Sequence, residues 1–205
     1  MRLILIRHAE TQWNKERRIQ GGSSDTGLSE VGLSQARQLA SYFKKDTISV
    51  IASSPLQRAL DTANFIAQPH EIQVRVDERL REIEVGDLEG LSWADLGTSF
   101  TQFLLQKWQG GGTKKLPGGE SFVQLQQRVW DSVEQLQSEC NSDSVIVVSH
   151  YFATLAIIFK ALDLSPEHLL KFRIGNGGIS ILEYTSYGPR LVTFNNTSFL
   201  NCEKT

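Results

Sequence analysis

The chain has 205 residues, of which 40% are hydrophobic and 21% charged, and its formal net charge at pH 7 is −2. A chain of this length can bury a sizeable core, and we expect one globular domain over residues 1–205. The charge gives no sign of a general affinity for nucleic acid or for an anionic membrane, although it is compatible with a local cationic pocket. No apolar run approaches about 18 residues, and Arg7 and His8 interrupt the first one, so we expect a cytoplasmic protein with neither signal peptide nor membrane span.

The first half of the chain predicts alternating strands and helices. Leu3–Ile6 and Ile48–Ala52 are nearly continuous apolar runs, which is typical of strands that are covered on both faces. Between them, Ser29 is the predicted N-cap of a helix. The apolar face of this helix comprises Ala36, Leu39, Ala40 and Phe43. After Ser54, Pro55 predicts the first position of another helix.

The second half opens with a glycine-rich insertion. Residues 86–120 contain eight glycines and predict a helix and loops that lie over the sheet. Apolar residues at helical spacing from Phe122 to Leu136 then predict a long helix. Val145–Val148 is a third apolar run and predicts a third buried strand.

The end of the chain predicts a hairpin and completes the fold. After a break at Gly177-Gly178, the segments 179–184 and 190–194 read as two strands that turn at Gly188-Pro189. Strands that alternate with helices predict an α/β three-layer sandwich, with a mostly parallel central sheet and helices on both faces. We expect the insertion to lie over the edge where the strands have their C-terminal ends. The hairpin can pair with its own sheet or with a second copy, which leaves a homodimer open.

Each predicted buried strand is followed by a cationic or potentially cationic residue. Arg7 and His8 follow the first strand, Arg58 lies a little beyond the second, and His150 follows the third. Because ligands of open α/β sheets bind at the carboxyl ends of the strands, we expect these four side chains to meet at one edge. Arg58 also falls in the first turn of a helix, where backbone N–H groups favour an anion. Any one of the four would be an ordinary residue, but together they indicate a site for a phosphoryl group.

A metal site is the first alternative. Two histidines can bind zinc, but adjacent guanidinium groups are unfavourable neighbours for a dication, and no HExxH or CxxC pattern accompanies them. We therefore expect no metal and no cofactor. Cys140 and Cys202 lack ligand-like spacing and predict no disulfide framework.

These residues lie in a set of motifs that resembles a known family. The stretch LIRHAETQWN is similar to the signature of the histidine phosphatase superfamily, which includes cofactor-dependent phosphoglycerate mutases and many small phosphatases. The motifs QGGSSDTGLSEVGLSQA, IASSPLQRALDTA, LREIEVGDLEG, PGGES and VIVVSH follow in the family's order, so that the resemblance covers residues 1 to about 155. RHxE alone would be a weak signal, whereas the ordered set is specific.

The resemblance implies a role for each matching residue. His8 would be the nucleophile that takes the phosphoryl group as a phosphohistidine, with its other ring N–H held by an acceptor such as a backbone carbonyl. Arg7, Arg58 and His150 would bind the phosphoryl oxygens and stabilise the transition state. Three further substrate contacts are implied at Asn14, Gln20 and Gly21, the last two in a loop that closes over the substrate.

The same resemblance assigns the general acid and base. Glu82, in LREIEVG, would protonate the leaving oxygen and then help to remove a proton from the attacking water. From the residues alone, Glu78, Glu84 and Glu89 remain open as alternatives, since any of them would be a solvated surface acid by default.

Two departures from the family pattern leave local roles open. Ala9 replaces the glycine that usually follows the histidine, which is a small change. Tyr151 and Phe152 follow His150 where many members have glycine, and they either narrow the pocket or pack the following helix.

The insertion carries further candidates. For Lys114 and Lys115 two outcomes stay open: they bind a carboxylate of the substrate, or they form a solvated pair at the surface. Trp93 and Trp108 line the mouth of the pocket or belong to the core.

The functional hypothesis that follows is a metal-independent phosphatase acting on a small phosphorylated metabolite. Phosphoserine, a sugar phosphate, α-ribazole phosphate and phosphoglycolate all fit an anion pocket. A phosphoglycerate mutase is the closest alternative, although the insertion after Glu82 is short for that branch of the family. A non-catalytic phospho-ligand-binding domain is a second alternative, whose expected sign, loss of His8 or of the acid, is missing.

Overall fold

A six-stranded mixed sheet lies at the centre of the protein. The computed structural model describes residues 1–140 and 144–200, with only the backbone of residues 95 and 97–101. The strands of this part of the chain are β1 (Arg2–Arg7), β2 (Val50–Ser53), β3 (Arg75–Val76), β4 (Ser144–Ser149), β5 (Ile179–Thr185) and β6 (Gly188–Asn196). Their order is β3-β2-β4-β1-β5-β6, and the first four are parallel to one another. β5 pairs antiparallel with β1 and β6 antiparallel with β5, which confirms the predicted α/β fold.

Helices connect the strands and cover both faces of the sheet. The α-helices of the described chain are α1 (Gln12–Lys15), α2 (Glu30–Phe43), α3 (Gln57–Ala67), α4 (Trp93–Trp108), α5 (Phe122–Glu139) and α6 (Tyr151–Ala161). Short 3₁₀ helices occupy Gln68–His70, Glu78–Leu80, Gly86–Leu88 and Pro166–Lys171. Among residues 1–140 and 144–200, no helix has the length and apolar character needed to cross a membrane.

The sheet separates two hydrophobic cores. Successive side chains of a strand point to opposite faces, so Leu3 and Leu5 of β1 join the core under α5 and α6, while Ile4 and Ile6 join the core under α2 and α3. All four are at most 1% exposed. Burying such a side chain contributes about 1.5–3 kcal/mol, which explains why the strands read as continuous apolar runs.

The predicted element ends are mostly close to the observed ones. The Ser29 Oγ accepts from the N–H of Gly32, 3.1 Å away, which confirms it as the N-cap of α2. The first and third predicted strands extend by one residue at each end, so that Arg7 is itself a strand residue. The second strand is Val50–Ser53 rather than Ile48–Ala52, because the ladder to β4 begins at Val50.

The predicted start of α3 at Pro55 was wrong. The helix begins at Gln57, and Leu56 is the N-cap in an extended conformation with φ −64° and ψ 133°. Ser54 does not cap the helix because its hydroxyl lies 2.8 Å from the imidazole of His150 and 3.3 Å from the N–H of Leu56. Arg58 nevertheless remains in the first turn of α3, as predicted.

The predicted hairpin is present, but its turn was misplaced. Gly188 and Pro189 begin β6, and Thr185 pairs with Gly188, so the turn lies at Ser186 and Tyr187. β6 is the edge of the sheet, where a residue without an N–H is tolerated. Both strands belong to the chain's own sheet, which answers the question that the sequence left open about their pairing.

Candidate active site

Strand register places two histidines side by side. Arg7 at the end of β1 pairs with Ser149 at the end of β4, so the next residues, His8 and His150, leave the sheet together. The His8 N–H donates to the Ser149 carbonyl at 2.8 Å. The two imidazole rings lie 5.2 Å apart between centroids, and both side chains are buried. The convergence predicted at the strand ends is therefore present for this pair.

His8 is held in one tautomer. Its Nδ1 lies 2.7 Å from the carbonyl oxygen of Ala9, and since a carbonyl only accepts, Nδ1 carries the hydrogen. Burial lowers the pKa of His8 well below its usual value of 6.5, and the nearby cations Arg58 and Arg7 lower it further. At neutral pH the ring is therefore uncharged, and Nε2 has a free lone pair, which is the state that a nucleophilic histidine requires.

Two guanidinium groups supply the positive charge beside His8. The Nη1 of Arg7 donates to the Ile174 carbonyl at 2.7 Å. Arg58 is fully buried, and it donates to the carbonyls of Ser24 and Gly21 at 2.7 and 2.8 Å. Burial lowers the pKa of each arginine to about 10, so both remain cations at neutral pH.

Several buried polar nitrogens of the site have no partner among the described residues. They are the Nε of Arg7, the Nε of Arg58 and the Nδ1 of His150. The Nε2 of His150 lies 2.8 Å from the Oγ of Ser54, and either atom of this pair can donate the hydrogen. An unpaired buried donor costs about 1–3 kcal/mol, so the Nε–H groups of Arg7 and Arg58 favour the binding of an acceptor, such as an oxygen of a phosphoryl group.

Glu82 is a buried carboxyl at the N-terminus of α6. It is 3% exposed, and its oxygens accept from the N–H groups of Ile83 at 2.8 Å, Phe152 at 3.0 Å and Ala153 at 3.1 Å. Burial raises its pKa above the usual 4.5, against the opposing effect of these N–H groups and of Arg58 and Arg7. Three of about four acceptor positions of the carboxyl are occupied, which leaves one to carry a transferable proton. A raised pKa at a fixed position is what a general acid requires.

Arg128 of α5 holds the segment that carries Glu82. Its guanidinium donates to the carbonyls of Arg79, Arg81 and Glu82 at 2.7–2.8 Å. It also pairs with Glu120, whose carboxylate accepts from the N–H of Glu84 at 3.0 Å. The sequence did not reveal this contact, because nothing in the helical pattern of α5 distinguishes Arg128 from a solvated arginine.

Several of the candidate site residues line a cavity of about 420 Å³. Those that line it are Arg7, His8, Asn14, Gln20, Glu82, Tyr151, Phe152, Arg17, Arg18, Arg173, Asn176, Ile19, Val85, Trp93, Leu104 and Leu170. Arg58 and His150 are fully buried and are not among the lining residues, but the His150 ring packs against that of His8 and the charge of Arg58 acts on His8.

The three implied substrate contacts occupy different positions. Asn14 lines the cavity, and its Oδ1 accepts from the N–H of Thr11 and from the amide of Asn176, which leaves its own amide N–H₂ as a donor. Gln20 also lines the cavity and accepts from the hydroxyl of Thr11 at 3.0 Å. Gly21 does not line the cavity, and its link to the site is its carbonyl, which accepts from Arg58. A Cβ at Gly21 would lie 2.5 Å from Val85, so the loop approaches too closely for a side chain.

The alternative acids lie elsewhere. Glu78 is 74% exposed at its side chain, and Glu84 accepts from the hydroxyl of Ser23 at 2.6 Å. Glu89 accepts from the N–H of Gly21 at 2.8 Å and supports the loop rather than the cavity. Of the four acids, Glu82 alone lines the cavity.

The candidate residues in the glycine-rich insertion lie in three different places: the cavity wall, the hydrophobic core and the solvent-exposed surface. Trp93, at the start of α4, lines the cavity and is 46% exposed, whereas Trp108, at its end, is a core residue that packs against Phe152 at 5.2 Å between ring centroids. Lys114 and Lys115 are exposed and do not line the cavity. No cluster of three or more His, Cys, Asp or Glu suited to a metal occurs within residues 1–140 and 144–200, and Cys202 lies outside them.

Tyr151 and Phe152 have both of the locations that the sequence left open, at the pocket and in the following helix. Each lines the cavity, and each belongs to the first turn of α6. The Tyr151 ring lies 5.3 Å from the guanidinium carbon of Arg7, and its hydroxyl donates to the Phe172 carbonyl at 2.8 Å.

Several cavity residues were not singled out from the sequence. Asn176 donates to the His8 carbonyl and to Asn14 at 3.3 and 2.9 Å. Its position next to the glycine break at Gly177 was the one available signal. Arg17, Arg18 and Arg173 also line the cavity, but they lie in segments without strand or helix periodicity.

Comparison with known proteins identifies the family. The model of the histidine phosphatase superfamily (branch 1) matches residues 3–197. The probable phosphoglycerate mutase GpmB of Proteus mirabilis is 34% identical over 184 residues, which are 90% of this chain and 85% of that protein. The bifunctional protein Rv2228c of Mycobacterium tuberculosis is 33% identical over 201 residues, and the chain spans only 55% of its length.

Solved structures give the same result. A mutant phosphoserine phosphatase of Entamoeba histolytica in complex with phosphoserine superposes with a TM-score of 0.85 at 30% identity, over 98% of this chain and 99% of that one. The mycobacterial glucosyl-3-phosphoglycerate phosphatase Rv2419c gives a TM-score of 0.85 at 30% identity, over 96% and 99%. The chain therefore belongs to the histidine phosphatase superfamily, and its likeness to these phosphatases marks it as a phosphatase enzyme.

Proposed function

We propose that the protein hydrolyses a small phosphorylated metabolite through a phosphohistidine at His8. The observation that carries this proposal is the Nε2 of His8, left with a free lone pair because Nδ1 carries the hydrogen, together with the buried nitrogens of Arg7, Arg58 and His150 that have no partner among the described residues. With uncharged imidazoles and a carboxyl at Glu82 whose pKa is raised, the two guanidinium groups give the site a net positive charge, which suits a phosphomonoester dianion.

In the first step, the Nε2 of His8 attacks phosphorus, and the bond from phosphorus to the ester oxygen breaks. Glu82 gives its proton to that oxygen, so the leaving group departs as a neutral alcohol. Arg7, Arg58 and His150 bind the equatorial oxygens, and Asn14 adds an uncharged donor. Such preorganised donors stabilise the charge of the transition state without reorganisation.

In the second step, water replaces the alcohol. Glu82, now ionised, takes a proton from the water as its oxygen attacks phosphorus, and the bond from phosphorus to Nε2 breaks. The products are inorganic phosphate, neutral His8 and protonated Glu82. The site returns to its starting state without a redox partner.

The route is proposed to be metal-independent. Two fixed guanidinium groups beside His8 occupy the role that a divalent cation has in other phosphatases, which is to neutralise the phosphoryl oxygens.

A phosphoglycerate mutase remains the alternative, and the name of the Proteus mirabilis relative favours it. A mutase uses the same first step but returns the phosphoryl group to a bound alcohol instead of water. The phosphatases among the solved neighbours favour hydrolysis, and their names suggest phosphoserine and glucosyl-3-phosphoglycerate as substrates to test beside sugar phosphates, phosphoglycolate and α-ribazole phosphate. A non-catalytic domain is disfavoured because His8 and Glu82 are both present and positioned.

The experiment is a phosphate-release assay over this panel after exhaustive treatment with EDTA. We expect sustained release of inorganic phosphate from at least one monoester, no loss of rate on chelation, and no interconversion of 2- and 3-phosphoglycerate. Interconversion without net release would establish the mutase alternative. A reproducible metal requirement would contradict the proposed role of the guanidinium groups.

A further inference from the structure

The lining of the cavity above His8 combines cationic and apolar side chains. Arg17, Arg18 and Arg173 contribute cations, in addition to Arg7 at the phosphoryl site. The apolar lining residues are Ile19, Val85, Trp93, Leu104, Phe152 and Leu170.

The cavity is larger than a phosphoryl group needs. Its volume of about 420 Å³ lies in the range of small-molecule pockets, about 300–1,000 Å³, whereas one phosphoryl group occupies a small part of such a space. The cavity therefore has room for the alcohol part of a substrate. An alcohol that complements both kinds of lining residue has an apolar body and a negative charge.

The backbone on either side of Arg173 is fastened to the reaction centre. The carbonyl of Phe172 accepts from the hydroxyl of Tyr151 at 2.8 Å, and the carbonyl of Ile174 accepts from Arg7 at 2.7 Å. Arg173 is also close enough to Arg7 to lower the pKa of that guanidinium, although burial has the larger effect. An anion between two such cations would remove their repulsion.

The other two arginines of the mouth are less suited to this role. Arg18 is paired with Glu16 at 2.8 Å and also donates to the Gly90 carbonyl at 3.1 Å. Arg17 is not among the charges that act on Arg7 at the phosphoryl site, whereas Arg173 is. Arg173 is thus the cation that is best placed for a ligand.

We infer that the substrate is a phosphomonoester whose alcohol part carries a carboxylate on an apolar body, and that Arg173 binds this carboxylate. The inference rests on the proposed hydrolysis at His8 and names the substrate class of that site. Arg173 acts as a specificity residue. Its planar guanidinium can donate to both oxygens of a carboxylate, and its charge acts only on the carboxylate end of the ligand.

The test compares two esters of the same shape. 4-Carboxyphenyl phosphate carries the carboxylate, and 4-carbamoylphenyl phosphate replaces it with a neutral amide of nearly the same size. We expect the protein to prefer the carboxylate by about 10-fold or more in kcat/KM, mainly through KM, as for a charge-assisted hydrogen bond.

Two variants distinguish the effect of Arg173 from a general effect of positive charge near the cavity. Arg173→Met should bring the preference close to unity, because kcat/KM falls more for the carboxylate ester than for the neutral ester. Lys171→Met removes an exposed cation two residues away that does not line the cavity, and it should keep the preference.

The outcomes distinguish the two proposals. Release of phosphate from both esters without a preference, or a preference that survives in Arg173→Met, overturns this inference and leaves the hydrolysis intact. If neither these two esters nor any member of the metabolite panel releases phosphate, the proposed function itself is overturned.

Discussion

The floor and the mouth of the cavity are built in opposite ways. The floor consists of His8 and Glu82, which line the cavity, together with the buried Arg58 and His150 beside His8, and these four residues are at most 3% exposed. The mouth consists of Arg17, Arg18, Arg173, Tyr151 and Trp93, which are exposed or half-buried. At the floor, burial shifts every titratable group, whereas at the mouth solvent screens the charges. On the proposed mechanism, the chemistry is therefore set at the floor and the substrate is selected at the mouth.

The floor is also the more constrained of the two. Glu82 accepts three backbone N–H groups, Arg58 donates to two carbonyls of the loop after α1, and His150 is fixed by Ser54. Mutations there should therefore change kcat, while mutations at the mouth should change KM.

Apart from loss of the nucleophile itself, the largest effect among the floor variants is expected for Glu82→Gln. The glutamine keeps the size of the side chain but cannot transfer a proton, so kcat/KM for an alkyl monoester should fall by about 10²–10⁴-fold. Glu84→Gln, which changes an acid outside the cavity, is the matched control and should retain activity. A Glu82→Gln enzyme with unchanged kcat/KM would contradict the assignment of the acid.

The same variant tests the pH dependence. His8 must be uncharged and its pKa is lowered, so the rate should rise with pH through a value well below 6.5. Glu82 must be protonated in the first step and its pKa is raised, so the rate should fall as pH increases through a value above 4.5. The profile of kcat/KM is therefore bell-shaped, and Glu82→Gln should lose its alkaline limb only.

A smaller effect is expected when Arg128, which holds the segment that carries Glu82, is replaced. Arg128→Met takes away the donors to the carbonyls of Arg79, Arg81 and Glu82 without touching the substrate. We expect kcat to fall by about 10- to 100-fold with little change in KM, because the acid is misplaced, and the alkaline limb to shift.

Arg79→Met is the control for this variant. Arg79 lies in the same segment, but its guanidinium pairs with Asp77 and Gln135 instead. Equal losses in both variants, or an alkaline limb that does not move in Arg128→Met, would show that Arg128 acts on stability alone.

The smallest effect is expected at the mouth. Tyr151→Phe keeps the ring beside Arg7 but removes the hydrogen bond to the Phe172 carbonyl, which is worth about 0.5–1.5 kcal/mol. KM should rise by about 2- to 10-fold with kcat nearly constant. Tyr187→Phe, at a side chain that is 95% exposed, should change neither constant. A loss in kcat as large as that of Glu82→Gln would remove the distinction between floor and mouth.

Much of the floor could be predicted from the sequence, and most of the mouth could not. His8 and His150 directly follow apolar strands, and parallel strands bring their carboxyl ends to one edge, so local pattern and topology together give the convergence. Glu82 needed the family motif, because periodicity alone did not separate it from Glu78, Glu84 and Glu89.

The mouth depends on contacts between distant segments. Arg173 reaches the cavity because Tyr151 and Arg7 hold the backbone on either side of it, and no local pattern records such contacts. The misplaced start of α3 has a similar cause, since the hydroxyl of Ser54 contacts His150 from another strand. The single domain over residues 1–205, the cytoplasmic location and the oligomeric state stay predictions.

The central claim is that His8 carries the phosphoryl group, and it can be measured directly. Turnover is stopped with alkali, under which a phosphohistidine persists, and mass spectrometry of the peptide that contains His8 locates the group. We predict a phosphoryl group on His8 during turnover, its absence in His8→Ala together with loss of phosphate release, and its presence in the control His168→Ala, whose side chain is exposed. Phosphate release by His8→Ala at an ordinary rate, or turnover without phosphorylated His8, would contradict the account.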